Sequence, residues 1–151
     1  MLSPVRQRFL RSANFYGVFM TSNHVVIWLD HREAKVIGFT ADEAQRTMVR
    51  HHGGHRQIHH LAGSVGAGHS VGDAQFFDEI VAAAGGALEV LVTGPGQAKV
   101  EFRRHVDSRH PLFAKRVLGV ESLDHPSEGQ LLAFARQYFV KIDQMLGLPR
   151  G

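Results

Sequence analysis

His51, His52, His55, His59 and His60 fall within ten residues of one another, in a chain that holds eleven histidines, none of them before residue 20. The steps of four from His51 to His55 and from His55 to His59 would set imidazole pairs on one helical face, a geometry that suits Zn²⁺ or Ni²⁺. No carboxylate accompanies them, and Gly53 and Gly54 make a helix costly there. The plainer reading is a solvated, weakly basic loop whose charge rises below about pH 6.5. Contact with RNA, in which His55 and His69 follow glycines, is the other chemistry open to it. A resident metal or cofactor is not expected.

A second group lies further along. Thr93-Gly94-Pro95-Gly96 followed by Lys99 could cradle a phosphate at a helix N-terminus. Only two residues separate Gly96 from the lysine and no Ser or Thr follows it, so the P-loop spacing is not met, and close strand-to-helix packing through glycine is the simpler account. Residues 96–116 carry Lys99, Arg103, Arg104, Arg109, Lys115 and Arg116 against Glu101 and Asp107. That excess of cations could meet RNA phosphates, or be an ordinary solvated helix face. These six residues, with His55 and His69, are the candidate contacts to RNA or a ribosome. Phe102 and Phe113 are expected in the core rather than as stacking platforms, and Trp28 likewise. No Ser/His/Asp triad or nucleophile elbow is present, so no catalytic residue is assigned.

The elements that must hold these residues follow from hydrophobic period. Val25, Ile27 and Leu29 alternate with Val26 and Trp28, leaving both faces apolar, which describes a central strand. A tight turn at His31-Arg32 leads to a second strand through Ala34, Val36, Ile37 and Phe39, and Gln45 to Arg50 read as a third, more polar strand near the sheet edge. Residues 51–71 hold five glycines and six histidines without a sustained period, so a long mobile loop is expected. Ser70-Val71-Gly72-Asp73 then opens a helix with Phe76, Phe77, Ile80, Val81 and Ala84 on one face, ending at Gly85-Gly86. A buried strand over Leu88–Val92 runs into the Gly94-Pro95-Gly96 turn and a helix bearing Val100, Phe102 and Val106. Arg116 to Leu123 gives a fifth strand. Pro126 is placed at the first position of a last helix whose apolar face is Leu131, Leu132, Ala135, Tyr138, Phe139, Ile142 and Leu146. Three antiparallel strands followed by alternating helix and strand require crossovers, so strands four and five should run parallel to the first. The fold class is therefore α/β, in the ribonuclease-H-like mixed-sheet arrangement.

That arrangement raises a nuclease as the alternative function, with carboxylates on the first strand, the fourth strand and the last helix jointly holding two Mg²⁺ ions. Asp30, Glu89, Asp124 and Glu128 are the residues in those places. Glu89 opens its strand, however, whereas parallel strands build sites at their carboxyl ends, so turn carboxylates and helix caps are the favoured account.

Composition bounds the rest. At 151 residues, 44% hydrophobic and 21% charged, the chain has the makings of one globular domain, expected over 20–151. The apolar runs are too short to cross a bilayer. With no cysteine, disulfides, thiolate metal sites and thiol nucleophiles are excluded, and a cytoplasmic setting fits. Arg6, Arg8 and Arg11 stand in an acid-free segment, residues 1–19, read as a disordered basic tail or an extension upstream of a start at Met20. With those three set aside, the remaining 14 Lys and Arg match the 14 Asp and Glu, so the net charge of +3 is no argument that the domain binds nucleic acid, and no DNA partner is expected.

The stretch from Glu89 to Phe139, EVLVTGPGQAKVEFRRHVDSRHPLFAKRVLGVESLDHPSEGQLLAFARQYF, resembles the second half of the middle domain of archaeal and eukaryotic class-1 peptide release factors and their Pelota relatives. With WLDHREAKV (Trp28–Val36) it is also similar to a bacterial family called translational machinery protein. The resemblance covers residues 24 to about 142, and Thr93-Gly94-Pro95-Gly96-Gln97-Ala98-Lys99 carries most of it. It implies a partner in the ribosome or structured RNA, and a role in translation without a membrane. Release factors hydrolyse peptidyl-tRNA through Gly-Gly-Gln in the loop between the third strand and the first helix. Here that loop reads Gly53-Gly54-His55 and Gly66-Ala67-Gly68-His69, with Gln57 at the wrong spacing. Together these imply a non-catalytic accessory protein, like the Pelota relatives that lack the tripeptide.

Overall fold

The computed structural model describes residues 24–52 and 71–147; His55, His69 and the basic segment 1–19 lie outside them. Five strands form one sheet: β1 (His24–Leu29), β2 (Glu33–Phe39), β3 (Ala44–Arg50), β4 (Glu89–Gly94) and β5 (Val117–Ser122). Their order is β3-β2-β1-β4-β5. β2 is antiparallel to both β1 and β3, while β4 lies parallel to β1 and β5 parallel to β4. This is the expected ribonuclease-H-like sheet, with the polar β3 at one edge.

The helices are α1 (Val71–Ala84), α2 (Ala98–Arg109), the single turn α3 (Pro111–Ala114) and α4 (Glu128–Leu146). The two-residue alternation of β1 decides which helix meets which face. Val25, Ile27 and Leu29 join Val36, Val90 and Val92 under Phe76, Phe77 and Ile80 of α1 and Phe102 and Val106 of α2. Val26 and Trp28 join Ile37, Phe39 and Leu91 against Leu131, Ala135 and Phe139 of α4. The sheet is thus a middle layer, apolar on both sides at its centre. Phe102 and Phe113 are both core residues.

Four details depart from the sequence reading. Pro126 precedes the last helix instead of opening it; Ser127 is the cap, its hydroxyl accepting from Gln130 N–H while the Gln130 side chain accepts from Ser127 N–H. Leu146 is exposed, and Asp143 takes its place in the buried series Leu131, Ala135, Phe139. Leu88 is exposed and β4 begins one residue later, at Glu89. The turn α3, opened by Pro111, has no counterpart in the hydrophobic pattern. α1 ends as expected, with Gly85 in the left-handed region at φ 62°. Among the described residues no helix is long and apolar enough to cross a membrane.

Candidate nucleic-acid interface and a histidine-carboxylate cluster

The cations of residues 96–116 do not form one surface. Lys99 stands three residues before Phe102 and seven before Val106, on the inner face of α2, and is buried. Its ammonium donates to the Gly96 carbonyl at 2.6 Å, closing the first turn of its own helix instead of reaching a ligand. Lys99 is therefore withdrawn as a contact, and with it the phosphate cradle. Gly94 serves a different end: a β-carbon there would stand 2.2 Å from the Leu29 carbonyl oxygen, so glycine lets β4 close against β1. The close packing is strand to strand, not strand to helix.

Arg103 is engaged with Asp107, one turn on, at 3.1 Å. Arg104, Arg109, Lys115 and Arg116 are exposed, and among the described residues none of them has a carboxylate partner. Arg116 donates to the Ala87 carbonyl at 3.3 Å, which anchors the start of β5 to the end of the α1–β4 connection. These four are the exposed members of the predicted basic group that have no carboxylate partner among the described residues, and Leu112, between Arg109 and Lys115 in sequence, is exposed as well.

The carboxylates of a two-metal nuclease do not converge. Asp30 follows β1, and its carboxylate accepts from the Arg32 and Glu33 N–H groups at 2.8 and 3.0 Å, capping the hairpin turn. Glu89 is in register with His24 at the opposite end of β1, about 20 Å away along the strand, and meets His24 Nε2 at 2.8 Å. Glu128 pairs with Arg46 of β3, and Asp124 with its neighbour His125 at 2.9 Å. The nuclease alternative loses its site.

The histidines hold the unexpected organisation. Six of the seven described ones contact a carboxylate, the exception being His52. His51, at the start of the connection to α1, has a nearly buried side chain; its Nε2 lies 2.6 Å from Asp73 Oδ1 and its ring 5.0 Å from that of Phe76. His105 of α2 and His110, which follows α2, both direct Nε2 at Oδ1 of Asp78 on α1, at 2.7 and 2.8 Å. Burial works against the charge of Asp78, but the hydrogen bonds from His110 and His105 outweigh it and hold the carboxyl below its ordinary value. Among the described residues this is the one group of three whose ligand atoms lie close enough for a single ion, all within 4.8 Å. The available signal in the sequence was His105 itself, three residues after Phe102 and so inside the apolar stripe of α2. Its partner on α1 is 27 positions away and carries no local mark.

No protein-family model and no curated protein sequence matches this chain. Solved structures do. Pelota from Archaeoglobus fulgidus superposes with a TM-score of 0.58 at 17% identity, over 97% of this chain and 39% of that one. Pelota from Thermoplasma acidophilum gives 0.52 at 20% identity, over 89% of this chain and 38% of that one. The chain thus spans about two-fifths of the length of the Pelota structures it matches, and the likeness is one of fold.

Proposed function

We propose that this chain is a non-catalytic accessory module of bacterial translation, contacting the ribosome or structured RNA from the cytoplasm, with residues 20–151 as its folding unit. The observation that carries the reading is the exposed run Arg104, Arg109, Lys115 and Arg116, free of carboxylate partners among the described residues, on a fold shared with Pelota. Guanidinium and ammonium groups left unneutralised at a surface attract phosphate and release its counterions on binding. The resemblance of Glu89–Phe139 to release factors supports translation as the setting. The absence of Gly-Gly-Gln from the sequence supports a role without peptide release, as does the dispersal of Asp30, Glu89, Asp124 and Glu128.

Sucrose-gradient sedimentation of the full chain with ribosomes tests this. Co-sedimentation at low salt is expected, weakening about 100-fold between about 50 and about 200 mM salt if four phosphates are contacted. The triple change Arg104→Glu/Arg109→Glu/Lys115→Glu should abolish it, while Lys99→Met, which alters a buried residue, should spare it. Binding that ignores both salt and the triple reversal would remove this face as the contact surface.

A further inference from the structure

We propose that Asp78, His105 and His110 form a binding site for one divalent transition ion of the Zn²⁺ class. Two imidazole nitrogens and one carboxylate oxygen make a donor set of borderline hardness, which suits such an ion better than Mg²⁺ or Ca²⁺, whose preferred ligands are all oxygen. The three atoms already converge. Both Nε2 atoms lie within 2.8 Å of the same Oδ1, and all three ligand atoms fall within 4.8 Å of one another. Around a tetrahedral ion with bonds of about 2.0–2.1 Å, ligand atoms stand about 3.3 Å apart. Each nitrogen–oxygen gap therefore opens by about half an ångström on binding, within the reach of a χ rotation at the half-exposed Asp78.

The surroundings favour an ion over hydrogen bonds alone. One carboxylate oxygen accepting from two imidazoles requires both rings to hold the proton on Nε2, whereas an ion replaces both of those protons with a single charge centre. His105 is over nine-tenths buried, its ring set 5.3 Å from Phe77, so its direction is fixed by packing before any ligand arrives. Asp78 and His110 are more open, with side chains 49% and 31% exposed, which leaves a path for the ion and a fourth position for water. The three ligands come from α1, from α2 and from the residue that caps α3, so the ion would tie together three elements on one face of the sheet. The site draws on none of the residues assigned to RNA contact and stands or falls apart from that reading.

The test is calorimetric titration of chelator-treated full-length protein with Zn²⁺, paralleled by Co²⁺ and its visible absorption. The expected result is one equivalent bound with a four-coordinate Co²⁺ spectrum, at least about 100-fold weaker in both Asp78→Asn and His110→Gln and retained in His55→Gln/His59→Gln/His60→Gln. Because the first two variants alter packing, histidine side-chain NMR of the unaltered protein serves as a second reading: Zn²⁺ should move the Nε2 resonances of His105 and His110 together. No stoichiometric binding, binding undiminished in both cluster variants, loss only in the triple-histidine variant, or Nε2 resonances that stay in place would each overturn the assignment.

Discussion

The carbonyl oxygen of Leu29 stands where any residue but glycine at position 94 would put its β-carbon, at 2.2 Å. The obstacle is backbone of a buried central strand, which has nowhere to retreat. Gly119 faces a similar encroachment at 1.9 Å, but there the obstacle is the hydroxyl end of the Tyr138 side chain, which can swing aside. Gly94→Ala should therefore cost about 3 kcal/mol or more, and Gly119→Ala less than about 1.5 kcal/mol. Urea unfolding midpoints at matched slopes would measure both, and equal losses would contradict the distinction between backbone and side-chain obstruction.

Trp28 donates its indole N–H to the carbonyls of Leu123 at 3.2 Å and Asp124 at 2.9 Å, tying β1 to the connection between β5 and α4. Trp28→Phe keeps most of the apolar body but strands both acceptors. A loss of about 1–3 kcal/mol is expected. As the one tryptophan in the chain, Trp28 also reports on this tie directly: its emission in the native protein should shift red at the same denaturant concentration at which far-UV signal is lost, and an earlier shift would mean that the tie opens before the sheet.

Tyr138 is half-buried, and burial followed by the charge of Glu121 raises its pKa above the ordinary 10.0. A folded-state pKa above the unfolded value gives stability that is complete below about pH 10 and is lost as the pH climbs through the folded value, because the unfolded state then gives up its proton more readily. In alkaline melts the native protein should lose stability above about pH 10 faster than Tyr138→Phe does. Parallel curves through that range would show that the phenol does not contribute to the alkaline transition.

Peptidyl-tRNA hydrolysis on ribosomes should not be stimulated by the protein, because in the segment between β3 and α1 the sequence places His55 after Gly53-Gly54 and His69 after Gly68, with no Gly-Gly-Gln. An imidazole can serve as a general base, but such help is worth only about 10²–10⁴-fold and the ring is bulkier than the amide it would replace. The measurement is release of labelled peptide from programmed ribosomes. Robust release that vanishes in His69→Ala would reverse the non-catalytic assignment.

The sheet was legible because β1 is apolar on both faces, as a central strand must be, and because a helical pattern separates β4 from β5, which calls for a crossover between parallel strands. The faces of α2 and α4 were less so. Charge alone marks Lys99 as a surface cation, whereas its spacing from Phe102 and Val106 places it on the buried face; a long alkyl stem with one local acceptor makes that position tolerable. Leu146 fails for the opposite reason: it is apolar and in phase, yet it is the last residue of α4 and is exposed. Of the Asp78 cluster only His105 left a mark, its place in the apolar stripe of α2; the pairing itself joins residues 27 and 32 positions apart through the packing of α1 on α2.

His51 fastens the chain where it leaves β3: its N–H donates to the Arg32 carbonyl at 2.9 Å, and its ring meets Asp73 in the first turn of α1. Residues 53–70 are thus inserted between two points that are clasped to each other. The register of β2 with β3 and the start of α1 are each held by contacts between residues on either side of that stretch. The end of β3 and the first turn of α1 are thereby brought together by the described residues themselves, at His51 and Asp73.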